Sequence, residues 1–162
     1  MGKKIIDSAS NIMYLVKPQV EKFKAEHPDE TVIIAAASKA RKMNNESGIG
    51  LGLGWATSRR AALILTENAF YCRDWVIPIS KLKYAEIVSI PSIFGYTALV
   101  MKLADNEGNH YQFGLNNANL WLSQNVVSFK RTEPNKYYSW YILAARIFLL
   151  LAFIFWLIQL VN

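Results

Sequence analysis

The stretch Tyr96-Thr97-Ala98-Leu99-Val100-Met101-Lys102-Leu103-Ala104-Asp105-Asn106-Glu107-Gly108-Asn109-His110-Tyr111-Gln112-Phe113-Gly114-Leu115 decides the fold class. Leu99, Met101 and Leu103 fall on one side of its first half. In the second half Tyr111, Phe113 and Leu115 stand opposite His110 and Gln112. Successive side chains of a strand point to opposite faces, so this alternation marks two strands with one buried face each. Between them Asp105–Asn109 is polar and carries a glycine, the composition of a short hairpin loop.

The same period extends toward the N-terminus. Ala61–Leu65 and Phe70–Arg73 read as strands around a turn at Thr66-Glu67-Asn68, and Trp75–Pro78 follows. Lys81–Ile90 alternates, with Leu82, Tyr84, Val88 and Ile90 on the side of Glu86, and Pro91–Gly95 reads as a loop. Thr31–Ala37 is β-branched and then alanine-rich; it reads as a strand, with a helix reaching Met43 as the rival. Residues 8–27 read as helix, with Ile12, Val16, Val20 and Phe23 on one stripe and Leu15 beside them. Pro18 predicts a kink or two short helices. Beyond the hairpin, Asn116 or Asn117 caps a second helix whose stripe is Ala118, Trp121, Leu122, Val126 and Phe129. The expected class is mostly β with flanking helices, α+β.

From Tyr137 to Val161 the chain is almost wholly apolar, with Arg146 its one charge. Taken from Trp140, a helix here rises about 33 Å, against a hydrocarbon core of about 30 Å. Trp140 and Tyr141 stand where an interfacial aromatic belt would be, and Arg146 can reach back to the headgroups or pair with an acid in a partner's span. Lys130, Arg131 and Lys136 precede this stretch. Excess Lys and Arg marks the cytoplasmic side, which places the preceding domain in the cytoplasm and makes the chain a single-pass membrane protein. The alternative is a buried C-terminal helix. The expected divisions are 1–30, an N-terminal helical segment; 31–130, a β domain; and 131–162, the juxtamembrane segment and span.

The chain has 162 residues and a formal net charge of +6. That charge fits an anionic leaflet, and nucleic acid is not expected as a partner. Cys72 is the sole cysteine, so no disulfide framework is present. Met1-Gly2-Lys3-Lys4 is basic, but Ser8–Met13 is not a long apolar run, so no secretory leader is read. Asn45-Glu46-Ser47 matches the glycosylation pattern, without meaning on a cytoplasmic face. Gly48-Ile49-Gly50-Leu51-Gly52-Leu53-Gly54-Trp55 fits neither phosphate-loop spacing. It reads as a loop or irregular edge strand, or as apolar side chains dipping into a bilayer or partner.

No catalytic set is legible. His27 and His110 lack neighbours at metal-ligand spacing, Cys72 reads as packed, and no nucleophile motif occurs. The basic set Lys39, Arg41, Lys42, Arg59 and Arg60, opposed nearby only by Glu46, is the candidate surface site: a solvated rim or an electrostatic patch for anionic headgroups.

Ala62-Leu63-Ile64-Leu65-Thr66-Glu67-Asn68-Ala69-Phe70-Tyr71, then Trp75-Val76-Ile77-Pro78-Ile79-Ser80-Lys81-Leu82, and Asp105 to Leu115 resemble successive elements of GRAM and bacterial PH-like domains. The resemblance covers roughly Thr31 to Phe129. It implies a partly open antiparallel barrel capped by a C-terminal helix, and a non-enzymatic binding module without a cofactor. It assigns Lys39, Arg41 and Lys42 to the first loop and Arg59 and Arg60 to the next strand. The family's spaced basic motif is not cleanly present, so generic attraction to anionic lipid is implied rather than specific phosphoinositide recognition. The expected function is recognition of a lipid or of a membrane or cytoplasmic protein at the cytoplasmic membrane face. The alternative is an accessory subunit of a larger membrane complex.

Overall fold

The structure, a computed structural model, describes residues 9–43, 58–91, 97–116, 118–132 and 136–161. Two short helices, α1 (Ala9–Met13) and α2 (Val16–Glu26), precede the strands β1 (Ile34–Met43), β2 (Arg59–Leu65), β3 (Ala69–Cys72) and β4 (Trp75–Pro78). A 3-10 turn leads to β5 (Leu82–Pro91), β6 (Thr97–Asp105) and β7 (His110–Leu115). Helix α3 (Ala118–Leu122), strand β8 (Lys130–Thr132) and helix α4 (Lys136–Val161) complete the chain.

The strands form one open mixed sheet in the order β4-β3-β2-β1-β7-β6-β5-β8. All pairings are antiparallel except that of β8 with β5. The fold is therefore α+β and mostly β. β1 joins its two halves, because residues 34–40 pair with β2 and residues 38–43 with β7. It runs through Met43, so Lys39, Arg41 and Lys42 lie on a strand rather than in the first loop.

Alternation sorts the side chains into an inner and an outer face. Inward, Leu63, Leu65, Phe70, Ile77, Ile87, Met101, Leu103 and Phe113 make the main core, closed by Leu120, Trp121 and Val127. Outward, Val16, Val20 and Phe23 of α2 pack on Ala35, Ala37, Ala62 and Ile64. Alanines there leave room for a helix backbone to approach, and the 4–3 spacing of the α2 residues puts them on one stripe. Val88, Ile90 and Val100 form a separate outer cluster.

Four expectations are corrected. The N-terminal run forms two short helices as expected, but it breaks at Leu15, which has a left-handed backbone (φ 53°, ψ 44°), and not at Pro18, which sits in the first turn of α2, where a missing N–H costs nothing. Ile12 and Leu15 accordingly leave the buried stripe and are exposed. The second helix covers only Ala118–Leu122. Gln124 stops it by accepting the N–H groups of Val126 and Val127 at Oε1 and donating from Nε2 to the Val127 carbonyl. Finally, Leu82 packs on the main core rather than beside Val88 and Ile90, because a bulge at Lys83 shifts the β5–β6 register. The Gly48–Trp55 stretch and Asn45-Glu46-Ser47 lie outside the described residues.

Helix α4 has a continuous backbone of 26 residues. Among the described residues, no helix is both long and apolar enough to cross a membrane. Leu143, Ile147, Phe148, Leu150, Leu151, Phe153, Ile154, Phe155, Trp156 and Ile158 are all exposed. The side chains of Trp140 and Tyr141 lie outside the described set, and Arg146 is exposed on the helix.

Candidate functional site

Where β1 ends and β2 begins, four side chains stack. Lys42 Nζ lies 5.5 Å from the Tyr111 ring centroid. Tyr111 meets Trp75 at 5.7 Å between centroids, and the Arg59 guanidinium carbon lies 4.4 Å over the Trp75 ring. The register explains the assembly. Lys42 pairs with Tyr111 across β1–β7, and the tight β3–β4 turn at Arg73-Asp74 carries Trp75 back beside the start of β2. Arg73 takes φ 56° to close that turn, and Asp74 forms an ion pair with Arg59. Cations over aromatic faces are held by the ring quadrupole, and Asp74 engages one nitrogen of the Arg59 guanidinium as well.

An open cleft of about 510 Å³ sits here, lined by Ala40, Arg41, Lys42, Met43, Ser58, Arg59 and Trp75. Of the five sequence-predicted basic residues, Arg41, Lys42 and Arg59 line it. Lys39 and Arg60, paired to each other across β1–β2, do not. With Arg41 they share the outer-face parity of Ala37 and Ala62, whereas Lys42 and Arg59 share the inner-face parity of Ala40 and Ala61. Three of the five cations therefore line this cleft: Lys42 and Arg59 from the inner face, and Arg41 from the opposite parity. Glu46, the acid the sequence set against these cations, lies outside the described residues; Asp74 stands on Arg59, 15 residues away in sequence and adjacent through the β2–β3–β4 meander.

Asp105 anchors the adjoining β6–β7 turn. Its carboxylate accepts the N–H groups of Glu107 and Asn109 and the Asn109 side-chain amide, and Gly108 takes φ 86°. Burial pushes the Asp105 carboxyl up, but the Asn109 and Glu107 hydrogen bonds and the Lys42 charge outweigh it and hold it below the usual carboxylate range.

A second cleft, about 440 Å³, lies on the outer face between α2 and β2–β4, with Gln19, Phe23, His27, Tyr71 and Val76 in its wall. His27 stacks on Phe23 at 4.6 Å. The Tyr71 hydroxyl donates to Glu30 Oε1 and is pushed up to about 12, first by burial and then by Glu30. Farther along the outer face, Lys102 Nζ pairs with Glu86 Oε1 at 3.0 Å, and Glu86 Oε2 accepts the Thr132 hydroxyl at 3.0 Å. Beside them Gln112 is buried with neither amide atom hydrogen-bonded. Sequence alternation gave it the outer face correctly but did not indicate that this face is covered there.

Among the described residues, no group of three or more His, Cys, Asp or Glu is placed to hold a metal ion. Cys72 is buried, and burial pushes its thiol up to about 11, which keeps it protonated and unreactive at neutral pH. His110 Nδ1 stands 3.3 Å from the Tyr84 hydroxyl, a contact two strands away in the sheet. Sequence reading missed Trp75 and Tyr111 as rim residues. The available signal was Trp75 directly after a charged two-residue turn and Tyr111 at the mouth of a hairpin.

Comparison with family models, curated proteins and solved structures finds no match for this chain.

Proposed function

We propose that the chain is a non-enzymatic recognition module, PH-like in architecture, tethered to a membrane by α4, and that its rim holds an anionic group. The observation that carries the reading is the Lys42–Tyr111–Trp75–Arg59 stack at an open cleft. Charges already oriented on rings lose little side-chain freedom when an anion arrives. A PH-like architecture is supported by a meander in which β1 bonds to both β2 and β7, with Trp121 filling one side of the core.

The tether is supported by apolar side chains exposed all along the described part of α4, and by a helical backbone that extends the apolar sequence to Val161. A patch that large, left in water, would be a severe aggregation liability. The basic approach at Lys130, Arg131 and Lys136 supports a cytoplasmic side for the sheet.

Strand directions favour an anionic group presented from solution over headgroups beside the tether. β8 runs parallel to β5, so the chain heads for α4 at the end of β5 where β7 also stops. Lys42 and Tyr111 lie at the other end of β1 and β7.

The test uses the full chain in phosphatidylcholine nanodiscs. A soluble polyphosphate is titrated in, and separately added phosphatidylserine vesicles form the lipid arm. Polyphosphate binding is expected, and Lys42→Ala or Arg59→Ala should each weaken it roughly tenfold, about 1.4 kcal/mol. Lys22→Ala, on the outer cleft, should leave it unchanged. Affinity that ignores the two rim substitutions would refute the site, and binding to the vesicles alone would assign the rim to a lipid surface.

A further inference from the structure

Outside α4, the three most exposed large apolar side chains among the described residues are neighbours: Ile12 at 70%, Met13 at 71% and Leu15 at 62%. We propose that this corner between α1 and α2 is a second membrane contact, seated in the headgroup layer of the bilayer that α4 enters. The proposal rests on the reading of α4 given above.

The corner is constructed rather than frayed. Leu15 adopts a left-handed backbone that an L side chain disfavours, and it does so without a glycine. That turn separates the buried stripe Val16, Val20 and Phe23 from Ile12, Met13 and Leu15. Side chains on both sides pin the corner to the sheet. Asn11 Oδ1 accepts the Ala37 N–H at 2.8 Å, and Ser10 Oγ accepts from Asn116 Nδ2 at 2.6 Å. Gln19 Oε1 accepts the Ala62 N–H at 3.2 Å, and its Nε2 donates to the Tyr14 carbonyl. An outward apolar group held this firmly is a preformed surface.

Its place identifies the occupant. Within the regularly paired strands β5, β6, β7 and β1, Asn116 follows the end of β7, and Ala37 lies in the first half of β1. β8 carries the chain toward that same end before α4 begins. The corner therefore lies at the same end of the sheet as the point from which the tether departs, with β7, β6 and β5 between them. Exposed Lys17 follows the apolar residues, and Lys3 and Lys4 precede them in sequence. An apolar wedge with an exposed lysine beside it suits the boundary between acyl chains and anionic headgroups.

The test is depth-dependent fluorescence on the full chain reconstituted in vesicles of phosphatidylcholine and phosphatidylglycerol. Cys72 is 1% exposed, so a thiol-directed, polarity-sensitive dye will label an introduced cysteine selectively. Met13→Cys is compared with Asn106→Cys in the β6–β7 turn, and flotation of each labelled protein is measured first. The expected result is blue-shifted emission at position 13, quenched by brominated acyl chains, with water-like and unquenched emission at 106. Floating protein with water-like emission at 13 overturns the proposal while leaving the tether intact. A blue shift at 13 without lipid quenching means the corner is covered by protein, which also overturns it. Quenching at both positions overturns the orientation. Failure to float removes the tether and the proposal with it.

Discussion

The two ends of β1 and β7 solve opposite problems. At the rim end, charged side chains are exposed and ordered by lying on rings: Lys42 on Tyr111, Arg59 on Trp75. At the other end, backbone groups are buried and ordered by amide side chains, Asn11 serving Ala37 beyond the reach of β7. The first end is built from contacts that cost little to disturb, and the second from groups that cannot be left unpaired. Recognition and stability should therefore separate by end.

The largest test of that separation is Trp121→Ala. Trp121 is buried against the core and stacks over Phe70 at 6.3 Å, so its removal should cost about 3–5 kcal/mol. Urea unfolding would read the loss, and polyphosphate affinity of the folded fraction should not move. Asn11→Ala comes next. It strands the Ala37 N–H and should cost about 1–3 kcal/mol. A loss below about half a kcal/mol would show that another group takes over, and that the contrast between the ends is smaller than stated.

The smallest effect is expected from Asp105→Asn, and it depends on pH. The carboxyl of Asp105 is held below its ordinary value in the folded chain. Its contribution is present above the unfolded value, near the ordinary carboxylate range of about 4, and is lost as pH falls through the lower folded value. Acid unfolding of the parent should therefore be steeper below about pH 4 than that of Asp105→Asn. Parallel curves would mean that Lys42 and the turn donors do not favour the charged form.

Local patterns carried much of the fold. Leu99, Met101, Leu103, Tyr111, Phe113 and Leu115 lie on the face that alternation assigns them, because a half-buried strand has no other way to hide them. The errors fall where a single group overrides a period. Leu15 turns left-handed, Lys83 bulges, and the Gln124 side chain ends α3, each a local hydrogen-bonding or register event that hydropathy does not encode. Strand β8 was invisible for a related reason: Lys130, Arg131 and Thr132 carry no apolar alternation, and only Glu86 and the β5 edge recruit them. For the site, composition identified Lys42, Arg41 and Arg59 but grouped them with Lys39 and Arg60. Parity across two strands puts Lys42 and Arg59 on one face but leaves Arg41 with Lys39, and the partners Trp75, Tyr111 and Asp74 arrive through pairing at long sequence separation.

Glu86 holds Lys102 of the neighbouring strand with one oxygen and Thr132 of β8 with the other. Any pull transmitted through α4 enters the sheet along β8, parallel to β5 and only three residues long. That strand is loaded in shear, and its pairing with β5 is reinforced by a clasp reaching one strand farther inward. Mechanical force from the tail thus meets Glu86 before it meets the main core, making this carboxylate the natural fuse of the molecule under tension.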